Sequence, residues 1–313
     1  MNKKSKYVFN FIVAIIIAVY ALFNTDLTKD IKKSFASISD AVKEVDNDLE
    51  KENKKVSKNE MLSVYFLDVG QADSILIRVG DKNMLIDAGN NEDGTLLVNY
   101  FKELGINNFK YVVASHPHED HIGGMDDIIN NFDIDEFYMP NKITTTKTFE
   151  DMLDALDNKN MKYNVFSDEY EFTIDDAKLE VISAGFIDGD INDSSIVLKL
   201  IYGNNSFLFT GDATYNVENK ILNSDIKSDV LKVGHHGSKY STSSKFLEKV
   251  SPKYAVISVG KNNIYNHPEE STLKKIESKN IKVYRTDMLG TIIFTSDGDN
   301  INIKNVTTNT DGG

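Results

Sequence analysis

The 313-residue sequence contains no cysteine. That excludes disulfides, thiol nucleophiles and thiolate metal sites, and it suits a protein exported without dependence on oxidation. No G-x-S-x-G elbow occurs either, so no covalent serine or cysteine mechanism is in view. Basic residues are scarce where most of the chain lies. Residues 61–313 hold 39 acidic against 24 basic side chains, and the whole chain carries a net charge of −13. Phosphate affinity in nucleic-acid binders rests on Lys and Arg displacing counterions, so this part is a poor general nucleic-acid binder. A phosphate substrate would have to be held by metal and by local contacts. Internal repeats are absent, and low complexity is confined to a polar tail, 306–313.

The N-terminus has a different texture. A basic tail, residues 1–6 with Lys3, Lys4 and Lys6, precedes a 17-residue run, Tyr7–Phe23, that is apolar except for Asn10. This is the short end of what crosses a hydrocarbon core. We expect an N-terminal transmembrane helix with its N-terminus inside and the rest of the chain extracellular, a single-pass cell-membrane protein. The rival expectation is a signal segment cleaved near Val19–Tyr20–Ala21, giving a secreted protein. Residues 24–60 lack Gly and Pro, and Ile31, Phe35, Ile38, Val42, Val45 and Leu49 recur at steps of four and three. That is an a/d seam. It predicts a helical stalk that pairs chains into a homo-oligomer, with a solvated helix or spacer as the alternative.

From Met61 onward β-rich runs alternate with helical stretches. Strands are expected at Ser63–Leu67, Ser74–Val79, Met84–Ile86, Tyr111–Ala114, Ile196–Tyr202, Ser206–Phe209, Val230–Val233, Tyr254–Val259 and Ile292–Phe294. Helices are expected at Leu96–Leu104, Asp126–Asn131, Ser243–Val250 and Ser271–Ser278. The mixture predicts an α/β domain over 61–305, with layered sheets covered by helices.

All six histidines fall in three places: His116/His118/His121, His235/His236 and His267. Three imidazoles and the Asp120 carboxylate within six residues, after the strand ending Val112–Val113–Ala114, cannot all be satisfied as core polar groups. They can converge on cations if the backbone turns tightly, and imidazole with carboxylate suits Zn²⁺ first, with Mn²⁺ or Fe as alternatives. Gly237-Ser238 and Ser241 precede a helical stretch, where they could cap it or offer N–H groups to a phosphate.

His-x-His-x-Asp-His after a strand resembles the signature of the metallo-β-lactamase superfamily. Phe66-Leu67-Asp68-Val69-Gly70-Gln71-Ala72-Asp73-Ser74, Leu85-Ile86-Asp87-Ala88-Gly89, Phe209-Thr210-Gly211-Asp212, Leu231-Lys232-Val233-Gly234-His235-His236-Gly237-Ser238 and Arg285-Thr286-Asp287 with Gly290-Thr291 narrow it. Together they are similar to the extracellular hydrolase domain of ComEC-type competence proteins, without the polytopic channel. Ala72 stands where that group usually has Gly. The resemblance implies a four-layered αββα sandwich with two divalent metal ions at one edge. It implies His116 and His118 on one metal, Asp120 and His121 on the other, Asp212 bridging, and His235 as a further ligand of the second. Asp87, at a strand end, is expected to orient a ligand histidine, and where many relatives have another His before the Asp212 strand, Asn192 or a water is expected to take its place. His236, Ser238 and His267 are then free to face substrate.

Two cations sharing Asp212 would supply hydroxide from a bridging water at neutral pH. Asp120, His236 and His267 are the expected catalytic side chains, with His236 or His267 protonating the leaving group. The expected activity is hydrolysis of a small or single-stranded phosphodiester. The alternatives are a lactone, thioester or phosphocholine-type ester as substrate, and a non-catalytic metal-bound surface module.

Overall fold

The computed structural model describes residues 61–186 and 188–306. The expected anchor over 7–23 and stalk over 24–60 lie outside the described residues. Among the described residues no helix is long and apolar enough to cross a membrane.

Strands β1 (Leu62–Phe66), β2 (Ile75–Val79) and β3 (Lys82–Ile86) pair antiparallel. Strands β4 (Asn108–Val113), β5 (Asp133–Tyr138) and β6 (Tyr163–Asn164) then continue from β3 in parallel. A second sheet begins as an antiparallel meander of β7 (Glu171–Ile174), β8 (Ala177–Ser183), β9 (Val197–Tyr202) and β10 (Asn205–Phe209). It goes on in parallel with β11 (Val230–Lys232), β12 (Tyr254–Ile257) and β13 (Lys282–Arg285). The chain returns to the first sheet through β14 (Thr291–Ser296), antiparallel to β1, and β15 (Ile301–Val306). The orders are β15-β14-β1-β2-β3-β4-β5-β6 and β13-β12-β11-β10-β9-β8-β7.

Parallel neighbours need crossovers, and helices supply them. In the first sheet these are α1 (Gly94–Glu103), α2 (Glu119–Ile122) with α3 (Met125–Asn131), and α4 (Lys147–Asn158). In the second they are α5 (Tyr215–Ile221), α6 (Ser244–Val250) and α7 (Glu270–Glu277), and the one-turn α8 (Thr286–Leu289) leads back towards β14.

Strand periodicity decides what each layer buries. Phe207 and Phe209 of β10 face the other sheet and share a core with Val64, Phe66 and Phe294, whereas Leu208 between them packs outward under α5 and α6 with Leu231, Val217 and Phe246. On the far side Phe101 of α1, Phe109 of β4 and Phe132 after α3 meet edge-on at 5.2–6.1 Å. The layers are therefore helix, sheet, sheet, helix, the expected αββα sandwich. Both runs of parallel strands place their C-terminal ends at one edge, where ligands bind in open α/β sheets.

Candidate metal centre

Each converging side chain follows such a strand end: Asp87 after β3, residues 115–121 after β4, Asp212 after β10, His235 and His236 after β11. On the first sheet Asp87 is the organiser. Its carboxylate accepts from Ser115 N–H and Ser115 Oγ, each at 2.7 Å, and from His121 Nδ1 at 2.8 Å. The Ser115 hydroxyl proton is thus engaged, so Ser115 Oγ accepts from His116 Nδ1 at 3.1 Å. One carboxylate thereby keeps a proton on the outer Nδ1 of both imidazoles and turns each Nε2 towards the site. Ligand histidines characteristically have such partners. His116 Nε2 faces His118 Nδ1 at 3.0 Å. The loop closes this tightly because Gly123 has no Cβ, which would lie 2.1 Å from the Asn90 carbonyl carbon.

The second sheet uses a strained turn. His235 (φ 51°), His236 (φ 50°) and Gly237 (φ 85°) are three consecutive left-handed residues. For non-glycine residues this costs of order 1–3 kcal/mol each and is found mainly at functional sites. A Cβ at Gly237 would meet Pro268 Cβ at 2.5 Å. The turn drives His236 inward, where Nδ1–H donates to Ser258 O at 2.9 Å and Nε2 is left pointing into the site. Asp212 is held from behind, its N–H donating to Ser195 Oγ at 3.0 Å.

The two halves meet in one group. Donor atoms of Asp120, His121, Asp212 and His236 all lie within 4.8 Å of one another. His121 Nε2 is 3.3 Å from Asp212 Oδ1, and His236 Nε2 is 3.2 Å from Asp120 Oδ2. His121 Nε2, His236 Nε2 and Asp212 Oδ1 are buried without hydrogen-bond partners. Orphaned buried polar atoms are costly, and here three face one another. Burial alone pulls His121 and His236 down, but Asp212 leads the carboxylates that outweigh it and hold both imidazoles above their ordinary value. Burial pushes Asp120 and Asp212 up, and the neighbouring imidazoliums outweigh that and hold both carboxyls low. The group demands positive charge at its centre. Divalent cations meet that demand and take the place of the imidazole protons. The donor set therefore fits divalent metal.

The resemblance implies that His235 completes the donor set and His236 stays free for substrate; of the two, it is His236 that lies in the four-donor group. His236 is the buried member, and His235, with 24% of its side chain exposed, stands outside the four-donor group with Nε2 3.7 Å from Asp212 Oδ2. His267 lies against His235, ring centroids 5.6 Å apart. Burial, with His235 and His236, pulls its imidazole down to about 4, so the ring is neutral near pH 7 rather than a ready acid. Asn192 Oδ1 is buried without a hydrogen-bond partner, in a turn between β8 and β9. The Ser238 hydroxyl accepts from Tyr240 N–H at 3.3 Å, a turn-bracing contact. Nor is the start of α6 open to a phosphate. Ser243 caps it, and the buried Glu218 carboxylate accepts from the N–H groups of Thr242 and Ser243.

Two residues beneath the centre have no place among the expected site residues. Lys232 Nζ pairs with Asp73 Oδ2 at 2.7 Å, both side chains at most 1% exposed. Asp73 N–H donates to Asp120 O at 3.1 Å, and Lys232 precedes the His235–His236 turn, so the pair clamps the two sheets where their donors meet. A lysine inside the apolar strand Val230–Val233 is a legible sign of a buried partner. Its identity, far away in sequence, is not.

Two sheets flanked by helices, with imidazoles and carboxylates converging at one edge, define a metal-dependent hydrolase. The chain belongs to the metallo-beta-lactamase superfamily, which it matches over residues 67–261. It is 31% identical over 256 residues to ComE operon protein 3 of Bacillus subtilis (strain 168), covering 74% of this chain and 32% of that protein. It is 30% identical over 249 residues to competence protein ComA of Neisseria gonorrhoeae, covering 76% and 33% respectively. Both are competence proteins of the type the motifs resemble, and the chain spans about a third of their length. The metallo-beta-lactamase fold protein YhfI from Bacillus subtilis shares the fold, with a TM-score of 0.52 at 12% identity over 76% of this chain and 100% of that one.

Proposed function

We propose that the chain hydrolyses phosphodiesters with the help of divalent cations. In this reading Asp120, His121, Asp212 and His236 hold one cation, and His116 and His118 present Nε2 and Nδ1 to a second. The observation that carries it is the convergence of buried, unpartnered His121 Nε2, His236 Nε2 and Asp212 Oδ1. When bound, such cations supply Lewis acidity, polarising the attacked ester and lowering the pKa of a water. The chain's own part is orientation. Asp87 and Ser258 O keep protons on the outer nitrogens of His121 and His236, so the inner nitrogens stay free. His235 and His267 line the solvent-facing edge, where neutral rings can hold the scissile group by hydrogen bonds.

The phosphodiester class is supported by the likeness to competence proteins, and the acidic surface favours a small or single-stranded substrate over long duplex. The test is the full chain loaded with Zn²⁺ or Mn²⁺ against chromogenic phosphodiesters, single-stranded oligonucleotides and carboxyl esters. Turnover of phosphodiesters with about two cations bound is expected. Turnover of esters alone would move the substrate to a lactone, thioester or phosphocholine-type ester, and full metal occupancy with no turnover would make the domain a surface module. Export and anchoring rest on Lys3, Lys4, Lys6 and the run Tyr7–Phe23. Protease added to intact cells should remove the domain, and protection until lysis would overturn that placement.

A further inference from the structure

A row of rings leads out of the metal centre. From His236 to His235 the ring centroids are 6.3 Å apart, from His235 to His267 5.6 Å, and from His267 to Tyr265 5.9 Å. The first ring is buried, and Tyr265 at the far end is 60% exposed, next to Ile264 at 85%. The planes of His267 and Tyr265 are near parallel, 26° apart, and most of the Tyr265 ring remains open to solvent. Single exposed apolar residues are normal and need no explanation, but the loop that carries this one is braced on both sides. Asn263 Nδ2 donates to Gly260 O at 3.0 Å and His267 O at 2.6 Å, and Asn263 Oδ1 accepts from His267 N–H at 2.9 Å. Gly260 N–H donates to Gln71 Oε1 at 3.2 Å, tying the loop to the other sheet. Left-handed Asn262 and Asn266 bend the backbone on either side of Ile264–Tyr265. Asparagine adopts that conformation at little cost.

We propose that Tyr265 is a stacking platform for a nucleobase on the strand that carries the scissile phosphodiester, an inference that rests on the phosphodiester reading above. A base there lies at the outer end of the row, so its strand passes His267 and His235 on the way to the donor group. The charge of the domain points the same way. With acidic residues in excess, tracking of a backbone by basic side chains is weak, and stacking is the sequence-tolerant source of affinity that remains. Tyr265 is thus a specificity residue that selects base-bearing diesters from others.

The experiment measures anisotropy of a labelled oligothymidylate and of its abasic counterpart with the full chain. It is paired with metal-dependent cleavage of both. Wild type should bind the base-bearing strand more tightly. Tyr265→Ala should collapse that preference about 5- to 100-fold, the range of one base–aromatic stack, and Tyr265→Phe should keep it. Equal wild-type binding of the two strands, or an unaltered preference in Tyr265→Ala, would overturn the platform. Failure of the phosphodiester reading shows separately, as no cleavage of either strand, and the binding arm still decides the role of Tyr265.

Discussion

The two sheets contribute to the centre in opposite ways. The first sheet delivers its donors on one stretch, His116 to His121, whose backbone is ordinary: His118 sits at φ −81°, ψ 150° and caps a helical turn. The second sheet delivers Asp212 and His236 from separate strand ends, the latter through three left-handed residues in a row. The first half is specified chiefly by side-chain order, its one left-handed member being Asp87 (φ 62°), and the second by a run of backbone strain that the surrounding packing imposes. A site split this way depends on whatever fixes the distance between halves, and the Asp73–Lys232 clamp lies in that place.

Variants can break the comparison at graded strength. The largest effect is expected from the carboxylates that face both halves. Asp120→Asn and Asp212→Ala should each lower phosphodiester turnover by roughly 10³-fold or more by removing anionic ligands, with the fold retained by circular dichroism. Next comes the clamp. Lys232→Met leaves the buried Asp73 without its ammonium partner, with only the His236 and His121 imidazoles nearby at 3.6 and 3.9 Å, which should cost about 3–5 kcal/mol in denaturant unfolding. Adding Asp73→Leu should recover most of that loss, and a double variant no more stable than the single one would show that the pair is not a clamp. Asp87→Asn, confined to the first half, should weaken metal binding by about 10- to 100-fold in a competition titration with a chelating dye. Smallest is Ser243→Ala at the start of α6, about 1 kcal/mol from a lost cap with metal affinity unaltered.

The same contrast explains what is legible in the sequence. Apolar runs such as Val197–Tyr202 and Asn205–Phe209 lie within a residue of the expected strands, and α6 within a residue of its expected helix. Strand β5, Asp-Ile-Asp-Glu-Phe-Tyr, is masked because acidic residues occupy its solvent-facing positions. The hairpin β7–β8 alternates buried and solvent-facing residues at the edge of its sheet, with Glu171, Lys178 and Glu180 on the outward positions of a period-two pattern too short and polar to stand out as an apolar run. Helix α4 carries a readable stripe of Phe149, Met152, Ala155 and Leu156 inside an otherwise polar segment. At the centre, the contiguous donors are legible because their spacing is their geometry. Which of two adjacent histidines turns inward is not, since it depends on positive φ at both, and no side-chain pattern encodes that.

The central claim is that His236, not His235, closes the donor group with Asp120, His121 and Asp212. Calorimetric titration of Zn²⁺ into the metal-free full chain tests it directly in the two alanine variants. His236→Ala should lose a cation or bind it at least about tenfold more weakly, while His235→Ala keeps the wild-type stoichiometry and affinity. Full metal binding in His236→Ala with loss in His235→Ala would contradict the account.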